Sequence, residues 1–458
     1  MKDITQGNLS KNFILFAIPV IISGVLNQAY ITVDKIMVGQ ILGEAGLAAL
    51  GSTSTFITLL KSIIWGLGTG VSLYIAYLST SGEKKRTVNA IKVNLLSVAG
   101  IAILVSASAI VLHKPIFSML AVGKDIWHDS FIYYSLYLTG FVFFTFCNAA
   151  SYIFNAIGRP SFPMKLSIFS CVANVVCNYV LIVVFGLGVA GAAIGSVLVA
   201  FISSLIYVIR LALEFRELGV GGERTRFCKR DIFPAWRLAV PCMIQQFIMY
   251  VSGAAVQPAV NLLGTAAIAS YSVCSEIYSI CATIFQNSSR GLSPFCAQCY
   301  GKENYTLVTK GVRVSVRQGV LLSVPLMAAL LIFPRGIAGL FLGTNASSES
   351  VSYVMLYIYL CVPFVLCQVI NNLFHNFYRG VMMPKLATVT TVAYSAVRVI
   401  STYLLVGRLG MLGVFLGFVI PWSVECAMSV IFYFKGLWKS EPYIKAELEA
   451  RSQGSASL

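Results

Sequence analysis

Residues 12–38 read NFILFAIPVIISGVLNQAYITVDKIMV. The stretch is apolar over more than the roughly 20 residues that carry a helix across a bilayer, and its second half holds one acid, Asp34. A charge inside such a span costs roughly 3 kcal/mol on insertion scales, which makes an intramembrane acid a functional candidate by default. The competing reading pairs Asp34 with Lys35 at the interface. Adjacent helical residues point about 100° apart, so these two side chains face different surroundings.

The rest of the chain repeats this character. Of 458 residues, 58% are hydrophobic and 11% charged, where a soluble domain carries about 25% charged residues; the mean hydropathy is +0.82. Apolar stretches at 12–38, 47–78, 89–112, 129–157, 162–185, 188–212, 234–263, 266–298, 314–333, 351–378, 386–406 and 411–434 each suffice to span. The spans at 188–212 and 411–434 follow very short Gly turns, FGLGVAG and GRLGMLG, so each forms a tight hairpin with the span before it. The expected fold is all-α and polytopic. The net charge of +16 sits in short loops and orients the chain rather than binding nucleic acid. With the N-terminus cytoplasmic, only Lys114, Lys124, Arg335 and Arg408 fall in loops on the far side. Both termini are therefore expected in the cytoplasm.

Most cysteines lie within spans, where Cys packs as a small hydrophobe. Cys296 and Cys299 form a CxxC with no second pair of metal spacing, so no metal is expected. The first span lacks a short apolar core with a small-residue cleavage site and reads as a retained helix.

The chain also repeats itself. AIPVIISGV answers to AVPCMIQQF, with Pro19 matching Pro241, and GVAGAAIGSV answers to GMLGVFLGFV, with Gly191 and Gly195 matching Gly413 and Gly417. Between them Gly43 matches Gly264, Ser72 matches Ser293 and Pro160 matches Pro384. Each half holds six spans, an even number, so the repeat is parallel, related by an axis along the membrane normal. The expected organisation is an N-lobe (1–212), a basic linker (213–233), a C-lobe (234–436) and a C-terminal tail (437–458). The GxxxG pairs read as close helix packing. The matched prolines read as kinks that serve either bending or static packing.

VDKIMVGQILG in span one, the GR-P turn after span four, Asn174-x-x-x-Asn178 with the following FGLGVAGAAIG, and the turn at Arg379, Gly380 and Pro384 resemble the MATE (multidrug and toxic compound extrusion) transporters, in their bacterial MepA, NorM and DinF branches. The resemblance covers residues 8–435. It implies a V-shaped two-lobe fold that exports organic cations or other amphipathic drugs or metabolites in exchange for H+ or Na+, with no other cofactor. It implies that Asp34 is the ion-coupling acid, assisted by polar residues of spans four to six: Asn148, Asn155, Asn174 and Asn178. Many members carry Asp where Asn178 stands. In the C-lobe, where some members carry acids, this chain offers Gln245, Gln246, Gln368, Asn371 and Asn372, which does not support a Na+ site there; Gln245, Gln246, Gln368 and Asn371, with Asn148, Asn155 and Glu276, are the expected lining of a substrate cavity.

Other polar groups lie in spans. Glu276 is read as a cavity acid that would attract a cationic substrate. Glu425 is a second acid of this kind, with Arg290 and Arg398 as possible partners for both. His375 is read as a structural residue beside a turn. The expected partners are a small molecule and membrane lipid, the expected state a monomer, and the expected location the bacterial inner membrane. A lipid-linked saccharide flippase and an integral membrane enzyme are the alternatives. Three scattered His and no Walker motif argue against the enzyme and against ATP-driven export.

Overall fold

The computed structural model describes residues 9–119, 122–220, 229–342 and 347–439. Sixteen α-helices follow one another among them, with no strand. The first eight are α1 (Leu9–Thr80), α2 (Lys84–Val111), α3 (His113–Met119), α4 (Trp127–Thr139), α5 (Phe141–Ala156), α6 (Ser161–Tyr179), α7 (Gly188–Glu217) and α8 (Lys229–Asn261). The second eight are α9 (Thr265–Ser288), α10 (Leu292–Gly301), α11 (Thr306–Ile332), α12 (Pro334–Leu342), α13 (Ser348–Cys361), α14 (Val365–Gly380), α15 (Pro384–Leu409) and α16 (Met411–Phe434).

Eleven helical segments are long and apolar enough to cross a membrane, and a twelfth forms when the bent pair α4 and α5 counts as one. That pair turns by 46° at Gly140. A Cβ there would lie 2.4 Å from the Val197 side chain, so the glycine admits α7 at the bend. The first two expected spans differ from their expected form. Helical backbone runs unbroken from Leu9 to Thr80, and the two spanning windows within it are Lys11–Gln28 and Phe56–Thr80.

The outer surface of a helix such as α6 shows what solvent the fold expects. Val172, Val176, Tyr179 and Val183 make an exposed stripe at three- and four-residue spacing, while Asn174 and Asn178 are buried on the opposite face. A water-soluble helix has the reverse polarity.

The chain divides into two compact units. Unit 1 holds Ile22–Met243 with Met1–Asp3, and unit 2 holds Ile244–Leu458 with Ile4–Ile21. The internal boundaries fall two residues after Pro19 and two residues after Pro241. Packing explains the assignment of each helix start. In unit 1, α1 presents Gly66 and Gly70 to the first half of α8: a Cβ on either would lie 2.3 Å from the Met243 Cα or 2.2 Å from the Ala239 Cα. Asp231, buried at the start of α8, accepts from Arg86 Nε (3.1 Å) and Asn89 Nδ2 (2.7 Å), and Asn94 Nδ2 donates to its carbonyl (3.2 Å). In unit 2, the start of α1 packs Phe13 edge-on against Phe295, with ring centroids 5.1 Å apart, and sets Phe16 against Gly291.

The two Gly-turn hairpins close as the sequence predicts. In unit 1, a Cβ on Gly191 would lie 3.0 Å from the Leu181 carbonyl carbon, and one on Gly195 would lie 2.1 Å from Asn178 Oδ1. In unit 2, a Cβ on Gly413 would lie 2.6 Å from the Leu405 carbonyl carbon, and one on Gly417 would lie 2.1 Å from Thr402 Oγ1. The glycines step by 222 residues (191 to 413, 195 to 417), but their partners step by 224 (181 to 405, 178 to 402). Unit 1's hairpin is thus two residues longer. It carries a π-helical turn at Val180–Val184 and places Gly186 and Gly188 at positive φ, where unit 2 turns on Gly410.

Candidate functional site

Three helices of unit 2 each carry a polar stripe at three- and four-residue spacing, the spacing that keeps residues on one helix face. On α14 the stripe is Gln368, Asn371, His375 and Arg379; on α15 it is Ala387, Thr391, Tyr394 and Arg398; on α16 it is Phe418, Trp422, Glu425 and Ser429. The structure brings the three together.

Glu425 is the centre. It is 3% exposed; Oε2 is hydrogen-bonded, while Oε1 has no hydrogen bond among the described residues. His375 Nε2 stands 3.1 Å from Oε1, and Asn371 Nδ2 donates to Oε2 (3.1 Å) and to the Trp422 carbonyl (3.2 Å). His375 Nε2 also lies 3.2 Å from Thr390 Oγ1. The Thr390 hydroxyl donates to the Ala387 carbonyl at 3.0 Å, so its oxygen is left to accept. The network therefore assigns the hydrogen to His375 Nε2, directed at Thr390. Thr391 Oγ1 lies 3.5 Å from the same nitrogen and accepts from Gln245 Nε2 at 2.8 Å. Gln245 Oε1 in turn accepts from two nitrogens of Arg379, Nε at 3.2 Å. A hydrogen-bonded chain thus leads from Arg379, at the end of α14, to the His375 imidazole, which stands 3.1 Å from the Glu425 carboxylate. The Asn371 Oδ1 is buried and has no donor.

A carboxylate charge in a desolvated interior costs several kcal/mol unless compensated, and here an imidazole and an amide stand beside it. Among the described residues, no three His, Cys, Asp or Glu side chains converge as a metal site would require.

The remaining candidates are distributed as follows. Gln245 and Asn371 belong to this network, and Gln368 is buried one turn from Asn371. Gln246 is half-buried with no hydrogen bond, and Glu276 is half-buried beside exposed Ser272 and Ile280 with neither hydrogen bond nor ion pair, both among the described residues. Arg398 is within 4 Å of no carboxylate among the described residues; its Nη1 donates to the Tyr394 hydroxyl at 3.1 Å.

In unit 1, Asn178 Nδ2 donates to Asn174 Oδ1 (3.1 Å), and Asn174 Nδ2 donates to Ser196 Oγ (3.2 Å). The two amides form one chain in the α6–α7 interface, against Gly195. Asn148 and Asn155 on α5 each leave a buried amide oxygen without a donor, and Asn148 Oδ1 faces Gly68 of α1. Asp34 and Lys35 lie on the helical backbone of α1, and their side chains lie outside the described residues.

Reasoning from sequence did not join His375 to Glu425, nor set Arg398 apart from the acids. Their signal was the stripe: Asn371 with His375, Tyr394 with Arg398 and Trp422 with Glu425 each stand three or four apart in otherwise apolar spans.

Two stretches of the chain, residues 19–180 and 241–404, match the MatE family. The chain belongs to the MatE family. The two MatE stretches start at Pro19 and Pro241, 222 residues apart, and end at 180 and 404, 224 apart, the same two-residue difference that the hairpins show. Full-length relatives in this family are similar throughout. The probable multidrug resistance protein YpnP of Bacillus subtilis is 22% identical, over 96% of this chain and 98% of its own. The multidrug export protein MepA of Staphylococcus haemolyticus is 20% identical, over 97% of each. A variant of the Vibrio cholerae MATE transporter VcmN shares the fold with a TM-score of 0.88 at 17% identity, over 95% of this chain and 98% of that one. A MOP superfamily transporter from Pyrococcus furiosus does so with a TM-score of 0.87 at 17% identity, over 96% and 100%.

Proposed function

We propose that this chain is a secondary active antiporter. It exports amphipathic small molecules from the cytoplasm of a bacterium in exchange for H+ or Na+, by alternating access, with both termini on the cytoplasmic side of the inner membrane. The names of YpnP and MepA support export of drugs, and the loop distribution of Lys and Arg supports the orientation.

The observation that carries ion coupling is the buried carboxylate–imidazole pair. Glu425 and His375 stand 3.1 Å apart inside spans, and a hydrogen-bonded chain leads from His375 to Arg379, in the turn assigned to the cytoplasm. A negative charge held there favours any conformation or ligand able to compensate it. Ion and substrate are thereby coupled through one equilibrium, reciprocally. Asp34 in unit 1 is a second coupling acid in this reading, with Asn174 and Asn178 as the polar residues that the resemblance assigns to it.

The test is export from proteoliposomes under imposed pH and Na+ gradients. Glu425→Gln keeps the size and the hydrogen bond from Asn371 but cannot hold the charge. It is expected to lower gradient-driven export at least tenfold in protein that reconstitutes normally, and His375→Gln is expected to follow it. If both variants export at the parental rate under both gradients, the pair does not couple.

A further inference from the structure

Arg398 is a cation inside a span that the coupling pair does not use. It stands on α15 two turns beyond Thr391, about 10 Å along the axis. Its side chain is only half-buried. Its guanidinium lies 4.8 Å from the centre of the Phe418 ring. Of five N–H donors, only those on Nη1 have a protein acceptor among the described residues, the Tyr394 hydroxyl. On the α8 side stands Gly253, whose Cβ position lies 3.7 Å from Nη1, so no side chain fills that approach. Tyr271 and Tyr278 of α9 and Tyr394 of α15 complete the surroundings. The ring of Tyr278 stacks on Trp422 at 5.5 Å.

An arginine held by a tyrosine and an aromatic face, with its fork otherwise unused, is a carboxylate receptor. The fork offers two parallel N–H bonds to a planar anion. The stack on Phe418 fixes the plane of the guanidinium, so little order has to be imposed on binding. A charge inside a span is costly without a counter-ion, and no carboxylate among the described residues lies within 4 Å of Arg398.

We propose that Arg398 seats the carboxylate of an aromatic substrate, whose ring packs among Tyr271, Tyr278, Tyr394 and Phe418. Aromatic carboxylates are accordingly the substrate class that fits best. The inference deepens the transporter reading and rests on it for the transport step, but binding can be measured without transport.

The full-length protein in lipid nanodiscs is titrated calorimetrically with 2-naphthoate and with 2-naphthylmethylammonium, which share a ring system and differ in charge. The parent is expected to bind the carboxylate at least tenfold more tightly. Arg398→Gln is expected to lose at least tenfold for 2-naphthoate and to change little for the ammonium compound. A parent that binds no 2-naphthoate, or prefers the ammonium, overturns the site; so does Arg398→Gln with naphthoate affinity within twofold of the parent. If Arg398→Gln is not recovered as monodisperse protein, Phe418→Leu carries the test. It keeps the charge and removes the stack, and is expected to weaken naphthoate at least threefold; unchanged affinity overturns the proposal. The two readings fail separately. Naphthoate bound but never moved in proteoliposomes counts against export, whereas naphthoate not bound counts against the site whatever Glu425→Gln does.

Discussion

Replacing Gly195 by alanine places a methyl carbon 2.1 Å from the Asn178 amide oxygen, more than an ångström inside van der Waals contact. The α6 and α7 backbones are joined by a short hairpin and cannot separate there, so the amide has to turn. Turning it breaks the Asn178–Asn174 bond of 3.1 Å in a site where Asn178 is 0% and Asn174 1% exposed. Stranding a buried amide costs about 1–3 kcal/mol, and overpacking adds about 1–3 kcal/mol. Alanine returns at most about 1 kcal/mol through helix propensity. The net expectation is a loss of about 1–5 kcal/mol, or roughly 2–20 °C in melting temperature for a unit of this size. Thermal unfolding of the purified protein in detergent, followed by intrinsic fluorescence, measures it. Gly100→Ala on α2 is the control, because its Cβ position meets nothing within 4 Å, and it is expected to be neutral or slightly stabilising. Asn178→Ala combined with Gly195→Ala should be less destabilising than the sum of the two singles, since the clash and the stranded group are one interaction. Equal melting of Gly195→Ala and Gly100→Ala would refute the reasoning.

Gly417→Ala should destabilise unit 2 by a similar amount, because its Cβ would lie 2.1 Å from Thr402 Oγ1; the same melt reads it. Asp34→Asn should abolish ion-coupled export in proteoliposomes while the protein still inserts; export at the parental rate under both H+ and Na+ gradients would return Asp34 to the interfacial pairing with Lys35. Asp231→Ala should cost about 2 kcal/mol, the worth of charge-assisted bonds from Arg86 and Asn89, seen as a lower melting temperature with unit 1 the first to unfold. On the topology, a single cysteine at Lys85 should be labelled only from the cytoplasm and one at Lys124 only from outside; labelling of position 124 from inside would reverse the orientation.

Much of this architecture can be read in the chain because hydropathy is a one-dimensional signal. The repeat from Pro19 to Pro241, the glycine hairpins and most of the apolar stretches reappear in three dimensions, the first two stretches on one unbroken helix. What is not legible depends on which face meets which. Gly66 and Gly70 announce a close approach, but not that the partner is Met243 and Ala239. That contact places the start of α8 in unit 1, with residues more than 150 positions earlier. The same limit applies to the site. The spacing of Asn174 and Asn178 shows a shared face but not that it looks toward Gly195 and Ser196. Asn371 and His375 are visibly one stripe, yet that Glu425 of α16 closes on them, and Arg398 does not, is a matter of helix rotation. Hydropathy averages over rotation and loses it.

The exchange of helix starts bears on how the protein is made. Phe13 is synthesised early, and its partner Phe295 emerges about 280 residues later. At about 5–20 residues per second, the first segment waits roughly 15–60 seconds in the membrane before its packing surface exists. The first half of α8 has no such delay, because Arg86, Asn89 and the α1 glycines precede it. Unit 1 can therefore complete itself during translation, while unit 2 closes only with a segment from the very beginning of the chain. A ribosome that stops before Phe295 leaves the N-terminal segment with bare apolar surface, an unfinished seam that a membrane quality-control protease could recognise.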